Sequence, residues 1–416
     1  MKTQAISMKN SGAVHSAVIT AVILLFLIGT FPLMAQDGAI VNGYARSKVG
    51  SLLENGDYFV AENTLDLRFS QAFGDAGFYG NVVLYERDGK VELPELRELY
   101  IDLHGAAFDL RMGKQQIIWG KGDGVFITDL VSPKDLSQFL IPDFEELRRA
   151  VTGARVDLYA GYHGLQLVWL PWFTPSIAPD MNSIWAPTLP FPTMPVFQAT
   201  VEPEFELENG EYFAKYSYMG QSFDLALMGG YFWNDTPAYT RVSMVPLTVK
   251  GEYYRSSMAG YAVSGTLGPL VLRSEGAFYL DKRYQTSAMS YARGYAEKNA
   301  LQYLVGADYS ILGITFGLQY IQDIILDHDD ALINDELKNT LTLVVAKTFR
   351  SETIKTELFS YLSLDTQSGL VKPKITWNLS DGLELSSGAY IFFGDEGDYG
   401  QYDKNDGIYV GAKLSF

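Results

Sequence analysis

The sequence predicts an all-β protein, an antiparallel transmembrane β-barrel of about 18 strands, with 16 as the alternative count. Three observations predict this fold class. Many segments of membrane-spanning length alternate apolar and polar side chains, tight turns connect them, and the last such segment ends on Phe416. No stretch after residue 28 approaches the roughly 20 apolar residues that a spanning helix needs, so membrane residence requires strands.

The N-terminal residues predict a secretory signal peptide. Lys2 and Lys9 precede a continuous apolar run over residues 17–28, and the small Ala35 lies just before a polar stretch. We expect cleavage after Ala35, which gives a signal peptide over residues 1–35 and a barrel over residues 36–416. The barrel forms one array without a Pro/Ser-rich linker, which argues against a second domain.

Composition narrows the class of protein. With 32 basic and 49 acidic residues, the chain carries a net charge of −17, which makes nucleic acid an unsuitable partner. The chain has no cysteine, and this excludes disulfides, thiol catalysis and thiolate metal sites. We predict no cofactor and no metal.

The alternation assigns side chains to two faces. In residues 97–103, the apolar Leu99, Ile101 and Leu103 are predicted to face membrane lipid. The side chains between them, and those at equivalent positions of the following strands, are predicted to face the lumen: Glu98, Tyr100, Asp102, Asp109, Arg111 and Arg155.

The connections are expected to alternate strictly in length. Short turns that contain Gly, several with Asp, Ser or Pro, recur along the chain. Between them we predict long connections over residues 119–148, 173–209, 234–257, 282–299 and 394–406. Bacterial outer-membrane barrels have short periplasmic turns and long outer loops, so this pattern predicts an even strand count and two periplasmic termini. Residues 240–254 fit either a hairpin in a loop or a pair of barrel strands, which leaves both counts open.

The last strand bears on biogenesis as well as fold. Val410, Ala412, Leu414 and Phe416 form one apolar face of it. This ending resembles the signal that the barrel-assembly machinery reads in outer-membrane barrels. The resemblance implies that machinery as a partner and the outer membrane as the location.

Two sequence blocks, at residues 96–103 and 113–124, resemble the domain-of-unknown-function family 1302, large outer-membrane barrels of Gram-negative bacteria. The similarity continues through Asp129, Pro133 and Asp135 and through residues 168–175, and it returns in the tail from Phe393 to Asp406. Ser132 departs from the family, where Asn is commoner. The resemblance implies a porin or alginate-exporter-type channel, which often accompanies an inner-membrane exporter system for hydrophobic molecules.

Residues 119–149, called the 119–149 segment below, are too long for a hairpin loop and contain apolar pieces that should pack against something. We predict that the segment folds inward as a plug or constriction; the alternative is an ordered surface loop. An inward fold would place its charges opposite the lumen charges of the neighbouring strands. The segment charges in this prediction are Lys121, Asp123, Asp129, Lys134, Asp135, Arg148 and Arg149.

Residues 173–204 combine many prolines with large apolar side chains. Proline excludes barrel strands, and such a concentration of apolar groups does not belong in free solvent. These groups either seal the connection onto the barrel rim or bind an apolar ligand, and packing is the commoner role of such clusters.

No motif predicts an enzyme. His104 and His163 fall in predicted turns, and His328 lies in an acidic stretch of a predicted outer loop. We therefore predict an outer-membrane channel or exporter component that passes small or hydrophobic molecules. The alternative is a structural or adhesin-like barrel whose outer loops bind partners.

Overall fold

The computed structural model describes residues 39–189, 191, 194–287 and 291–416. The predicted signal peptide and its cleavage site lie outside these residues. One α-helical turn (Gly397–Gly400) and two 3-10 turns (Leu207–Asn209 and Asp403–Asn405) accompany the strands. Within the described ranges no helix has the length and apolar character needed to cross a membrane.

The strands in chain order are β1 (Ala39–Leu52), β2 (Tyr58–Phe73), β3 (Ala76–Arg87), β4 (Lys90–Val91), β5 (Glu95–His104), β6 (Phe108–Gln115), β7 (Val151–Ala160), β8 (His163–Leu170), β9 (Val196–Val201), β10 (Glu211–Met219), β11 (Phe223–Trp233), β12 (Ala238–Met244), β13 (Leu247–Glu252), β14 (Arg255–Leu267), β15 (Leu270–Gln285), β16 (Tyr295–Ile311), β17 (Ile314–Ile325), β18 (Leu337–Phe349), β19 (Ile354–Ser363), β20 (Ser368–Ser380), β21 (Leu383–Phe393) and β22 (Gly407–Ser415).

Eighteen of these strands form a closed antiparallel barrel. The first and last strands close it, since β1 pairs with β22 from Tyr44 opposite Ser415 to Leu52 opposite Gly407. The two-residue strand β4 extends the sheet beside β3. Strands β9, β12 and β13 form a separate three-stranded sheet. Residues 240–254 therefore belong mainly to a hairpin outside the barrel, and the predicted count of 18 is confirmed.

The predicted division into two faces is confirmed on β5. Leu99, Ile101 and Leu103 are 40%, 52% and 42% exposed on the outside of the barrel. Glu98 and Asp102 alternate with them and point to the other face. The outer surface is thus apolar and the inner surface polar, which is the pattern of strands in a membrane-spanning barrel.

The prediction of strictly alternating connection lengths is wrong for part of the barrel. The turns at the end where β1 begins and β22 ends are all short, as expected, and Gly161 and Gly268 adopt φ of +61° and +60° in two of them. At the opposite end, however, the connections at residues 53–57, 88–94 and 364–367 are short as well. β15 continues to Gln285 and β16 begins at Tyr295, so both strands extend into the connection predicted over residues 282–299. Strands of this length can continue beyond the membrane.

Candidate functional site

The 119–149 segment lies in the connection between β6 and β7 and bonds to inward-facing side chains from several parts of the barrel. The barrel side chains that bond its backbone, with the shortest distance for each, are Arg273, Glu275 and Tyr279 of β15 (3.3, 2.7 and 2.9 Å), Gln319 of β17 (2.9 Å), Tyr361 of β19 (2.8 Å), Lys372 of β20 (2.7 Å) and Tyr390 of β21 (2.8 Å). All of them alternate with lipid-facing residues on their strands. The segment therefore contacts the inner face of the barrel.

Glu275 is the main polar anchor of the segment. Its carboxylate accepts hydrogen bonds from the N–H groups of Lys121 (2.8 Å), Gly122 (3.2 Å) and Thr128 (2.7 Å), and from the Thr128 hydroxyl (2.7 Å). The residue is 2% exposed. Four donors thus converge on one buried carboxylate, a strong arrangement because each hydrogen bond involves a charged acceptor.

Apolar packing seals the segment against the barrel wall around Glu275. The segment and the residues just before it contribute Ile117, Trp119, Ile127 and Val131 to a buried cluster. The wall contributes side chains of β7, β8, β10, β11 and β14 to β17: Val151, Val168, Leu170, Phe213, Ala226, Met228, Phe232, Met258, Ala262, Ala277, Leu304 and Ile321. We call this part of the interface the sealed side.

A second, aromatic cluster holds residues 139–141 against β19 to β22. Phe139 lies 4.7 Å from Tyr402 between ring centroids, and the Tyr390 hydroxyl donates to the Ile141 carbonyl oxygen (2.8 Å). Trp185, from the proline-rich residues 173–204, joins this cluster and is 3% exposed. At Trp185, the structural role predicted for that stretch is therefore the one observed.

The opposite part of the lumen is lined by polar side chains and contains cavities. Two cavities, of about 360 Å³ and about 340 Å³, lie between residues 135–149 and the wall formed by β1 to β3, β5 and β20 to β22. Both cavities are lined by Arg46, Lys48, Arg97 and Glu146, so these four residues mark where the two cavities meet. We call this part of the lumen the polar side, and the four residues the junction.

Two ion pairs connect the segment to the wall on the polar side. Arg46 donates to Glu146 (Nη1 to Oε1, 2.7 Å), and the Tyr44 hydroxyl donates to the same oxygen (3.3 Å). Lys374 donates to Asp143 (3.3 Å). Arg46 also bonds Glu62 (3.1 Å), yet its buried Nε has no hydrogen-bond partner among the described residues.

The charges around Asp143 determine its protonation. Burial inside the lumen by itself would raise the pKa of Asp143, because it removes water from the carboxylate, although 64% of the side chain is exposed to the cavity. The cations Lys374, Lys48 and Arg46 outweigh this effect and hold the pKa below its ordinary value. Asp143 is therefore ionised at neutral pH.

The predicted lumen charges of β5 to β7 pair with their own neighbours rather than with the segment. Arg111 forms a bidentate pair with Asp102 (2.6 and 2.8 Å), and its guanidinium carbon lies 3.7 Å from the Tyr100 ring centroid. Arg155 bonds Asp157 (2.7 Å), and Asp109 bonds His104 and Tyr159 near a short turn. Glu98, from the same set of predicted charges, accepts a hydrogen bond from the N–H of Gln116, which lies between β6 and the segment (2.8 Å).

The charges of the segment itself divide into three groups. Asp129 and Arg148 pair with each other (2.6 Å), and Lys134 donates to the Asp129 carbonyl oxygen (2.8 Å). Asp123 instead bonds Arg273 on β15 (2.6 Å), and Lys121 donates to Ser264 on β14 (2.8 Å). Asp135 caps the Ser137 N–H, and Arg149 donates to the Pro175 carbonyl oxygen.

Sequence reasoning missed the residues that matter most in this geometry. Arg46 and Lys48 alternate with small residues on β1, and this period of two was a usable signal for an inward basic face. Glu275 stands beside Gly276 and Ala277, where a lone carboxylate gives no indication of its four donors. Glu146 could not be distinguished by sequence from the four other charged residues in 143–149.

The three histidines of the described ranges lie where the sequence predicted. His104 ends β5 and His163 begins β8, both beside short turns. His328 lies in the connection after β17, with its Nε2 2.9 Å from the Asn334 carbonyl oxygen. Over the described ranges, the structure contains no group of three or more side chains arranged to hold a metal ion.

No protein-family model and no curated protein matches the sequence. Among solved structures, OccK8 (OprE) of Pseudomonas aeruginosa is 11% identical, with 91% of this chain and 97% of that chain covered and a TM-score of 0.52. OpdK of the same organism, in a structure with vanillate, is 11% identical, with 91% and 98% covered and a TM-score of 0.52. OmpT, an outer membrane protein of Vibrio cholerae, in a form lacking loop L8, is 13% identical, with 91% and 100% covered and a TM-score of 0.44. The likeness to the two Pseudomonas barrels shows that this chain shares their fold.

Proposed function

We propose that this protein is an outer-membrane channel for small polar solutes, with the 119–149 segment as its constriction. The observation that carries the proposal is the asymmetry of the lumen. Apolar packing and Glu275 close the sealed side, whereas two charged cavities follow one another on the polar side. Solutes would pass through these cavities and the junction between them.

The charged lining favours polar solutes over hydrophobic ones. The two cavities are lined mainly by Arg, Lys, Asp and Glu side chains, which an apolar molecule would have to desolvate without compensation. The proposal therefore keeps the channel function predicted from the sequence and narrows its cargo. It assigns no enzymatic activity.

The location and orientation belong to the same proposal. The apolar outer surface and the fold shared with OccK8 and OpdK support the outer membrane, and the short turns support periplasmic termini. Insertion by the barrel-assembly machinery through β22, membership of the domain-of-unknown-function family 1302 and cooperation with an inner-membrane exporter system remain predictions from the sequence.

One observation favours the alternative of an adhesin-like barrel. The separate sheet of β9, β12 and β13 exposes apolar side chains, with Met194 beside it 73% exposed and Val245 90% exposed. Exposed apolar groups of this kind suit contact with a partner. On this alternative, the 119–149 segment would close the lumen completely.

Planar-bilayer recording separates the two functions. We expect the refolded protein to conduct ions, and a variant with residues 125–141 replaced by a short Gly/Ser connector to conduct more and to discriminate less between ions. Heat modifiability on gels controls for an intact barrel in both proteins. Absence of conductance from the intact protein would favour the adhesin-like alternative, and equal conductance of the two proteins would contradict the constriction.

A further inference from the structure

We infer that the junction is a binding site for an anionic group of the passing solute, and that Glu146 occupies this site when no solute is present. The inference rests on the proposed function and names its substrate class: small molecules that carry a carboxylate, sulfonate or phosphate. The Glu146 carboxylate, bonded to Arg46 at 2.7 Å, is the chain's own stand-in for that group.

The first argument for an anion site is the charge of the junction. Arg46, Lys48 and Arg97 are the cations that line both cavities, and Glu146 is the carboxylate that does so. Within the described ranges, Lys48 and Arg97 form no ion pair; they bond the tyrosine hydroxyls of Tyr390 (3.0 Å) and Tyr85 (2.6 Å). A solute at the junction therefore meets an excess of positive charge.

Arg46 provides the second argument, because Glu146 satisfies only part of its guanidinium. Its Nη1 bonds Glu146, and its Nη2 bonds Glu62, which also bonds Arg87 (2.7 Å). A guanidinium binds a planar carboxylate best through two parallel N–H groups. Glu146 accepts from Nη1 alone, so a free carboxylate or sulfonate that reaches both terminal nitrogens could bond more completely than Glu146 does.

An exchange of anions explains how such a buried site can fill and empty. Removing Glu146 alone would leave Arg46 and Arg87 to share the single carboxylate of Glu62, and an excess of positive charge is costly in a partly buried position. When an anion from the solute takes the place of the Glu146 carboxylate, the charge at the junction is unchanged. The tethered carboxylate then returns as the solute leaves, and this keeps the binding weak enough for passage.

The test uses benzenesulfonate, a permanent anion, and the neutral benzenesulfonamide as its matched probe. In planar bilayers we measure the concentration of each probe that halves the salt current. Glu146→Gln should lower this concentration for benzenesulfonate about tenfold, and Arg46→Gln should raise it about tenfold, since one charge-assisted hydrogen bond is involved in each case. Benzenesulfonamide should give no such dependence.

Two variants act as matched controls. Glu145→Gln removes the neighbouring charge, which forms no ion pair in the described part of the chain and lines one of the two cavities. Asp123→Asn breaks the corresponding pair with Arg273 on the sealed side. Asp123→Asn should leave the benzenesulfonate concentration unchanged, and Glu145→Gln should change it far less than Glu146→Gln does. Equal effects of Glu145→Gln and Glu146→Gln would overturn the inference, because they would show a general charge effect without a site.

Equilibrium dialysis of the detergent-solubilised protein against benzenesulfonate separates failure of this inference from failure of the proposed function. Tighter binding to Glu146→Gln than to the unchanged protein supports the anion site, even if no variant conducts and the channel function fails. Equal binding to both proteins, in a barrel that conducts, overturns the anion site and leaves the channel function in place.

Discussion

The two sides of the 119–149 segment are held by different physical means. On the sealed side, apolar side chains are packed against the barrel and one carboxylate, Glu275, accepts four hydrogen bonds at 2% exposure. On the polar side, the ion pairs of Glu146 and Asp143 with the wall lie beside cavities. The comparison indicates that one side positions the segment while the other borders cavities.

The difference follows from what each kind of contact costs to break. A buried carboxylate with several donors leaves unpaired N–H groups when it is removed, at about 1 to 3 kcal/mol for each group. The Lys374–Asp143 pair, with side chains 30% and 64% exposed, contributes about 0 to 1 kcal/mol because solvent screens both charges. Breaking this contact is therefore easier than detaching Glu275.

The largest effect is expected from Glu275→Ala, which should detach the sealed side. The N–H groups of Lys121, Gly122 and Thr128 lose their acceptor, and the cost of about 3 kcal/mol or more should free the segment. Limited trypsin digestion should then cut within the 119–149 segment much faster than in the unchanged protein. Glu275→Gln, which keeps one acceptor oxygen, should fall between the two, and unchanged digestion of Glu275→Ala would show that the carboxylate is not an anchor.

A smaller effect is expected on the polar side, from the titration of Asp143. Its pKa is lowered in the docked segment, so the stabilisation is present above its ordinary pKa of 3.8 and is lost as pH falls through the lower, docked value. Conductance should therefore stay constant between about pH 7 and 5 and rise only below about pH 4. Recordings of Asp143→Asn isolate this group, since that variant should lack the part of the rise that Asp143 causes. If the difference in conductance between the unchanged protein and Asp143→Asn changed with pH above pH 5, the assignment of the rise to Asp143 would be contradicted.

The sequence allowed the barrel to be predicted because each strand carries its own signal. Alternation placed Leu99, Ile101 and Leu103 outside, and the unusual length of the 119–149 segment predicted that it packs against something. Such information is local, since it depends on spacing along one strand or one connection.

The partners of the predicted charges could not be derived in the same way. Asp102 and Arg111 lie directly opposite each other on β5 and β6, so they pair across strands before either can reach the segment. Arg155 and Asp157 are two positions apart on one face and pair likewise. The contacts of Glu275 with Thr128 and of Arg46 with Glu146 join residues far apart in the chain. They depend on which strands face each other across a closed barrel, and a single sequence does not reveal this.

Thiol modification tests most directly the central claim that the passage follows the polar side. The chain has no cysteine, so single substitutions provide unique sites. We would introduce Glu384→Cys, which lines the larger polar cavity, and Ala262→Cys, which is 0% exposed on the sealed side, and add a negatively charged methanethiosulfonate reagent during bilayer recording. The account predicts a lasting fall in conductance for Glu384→Cys and none for Ala262→Cys; block at Ala262→Cys without block at Glu384→Cys would contradict it.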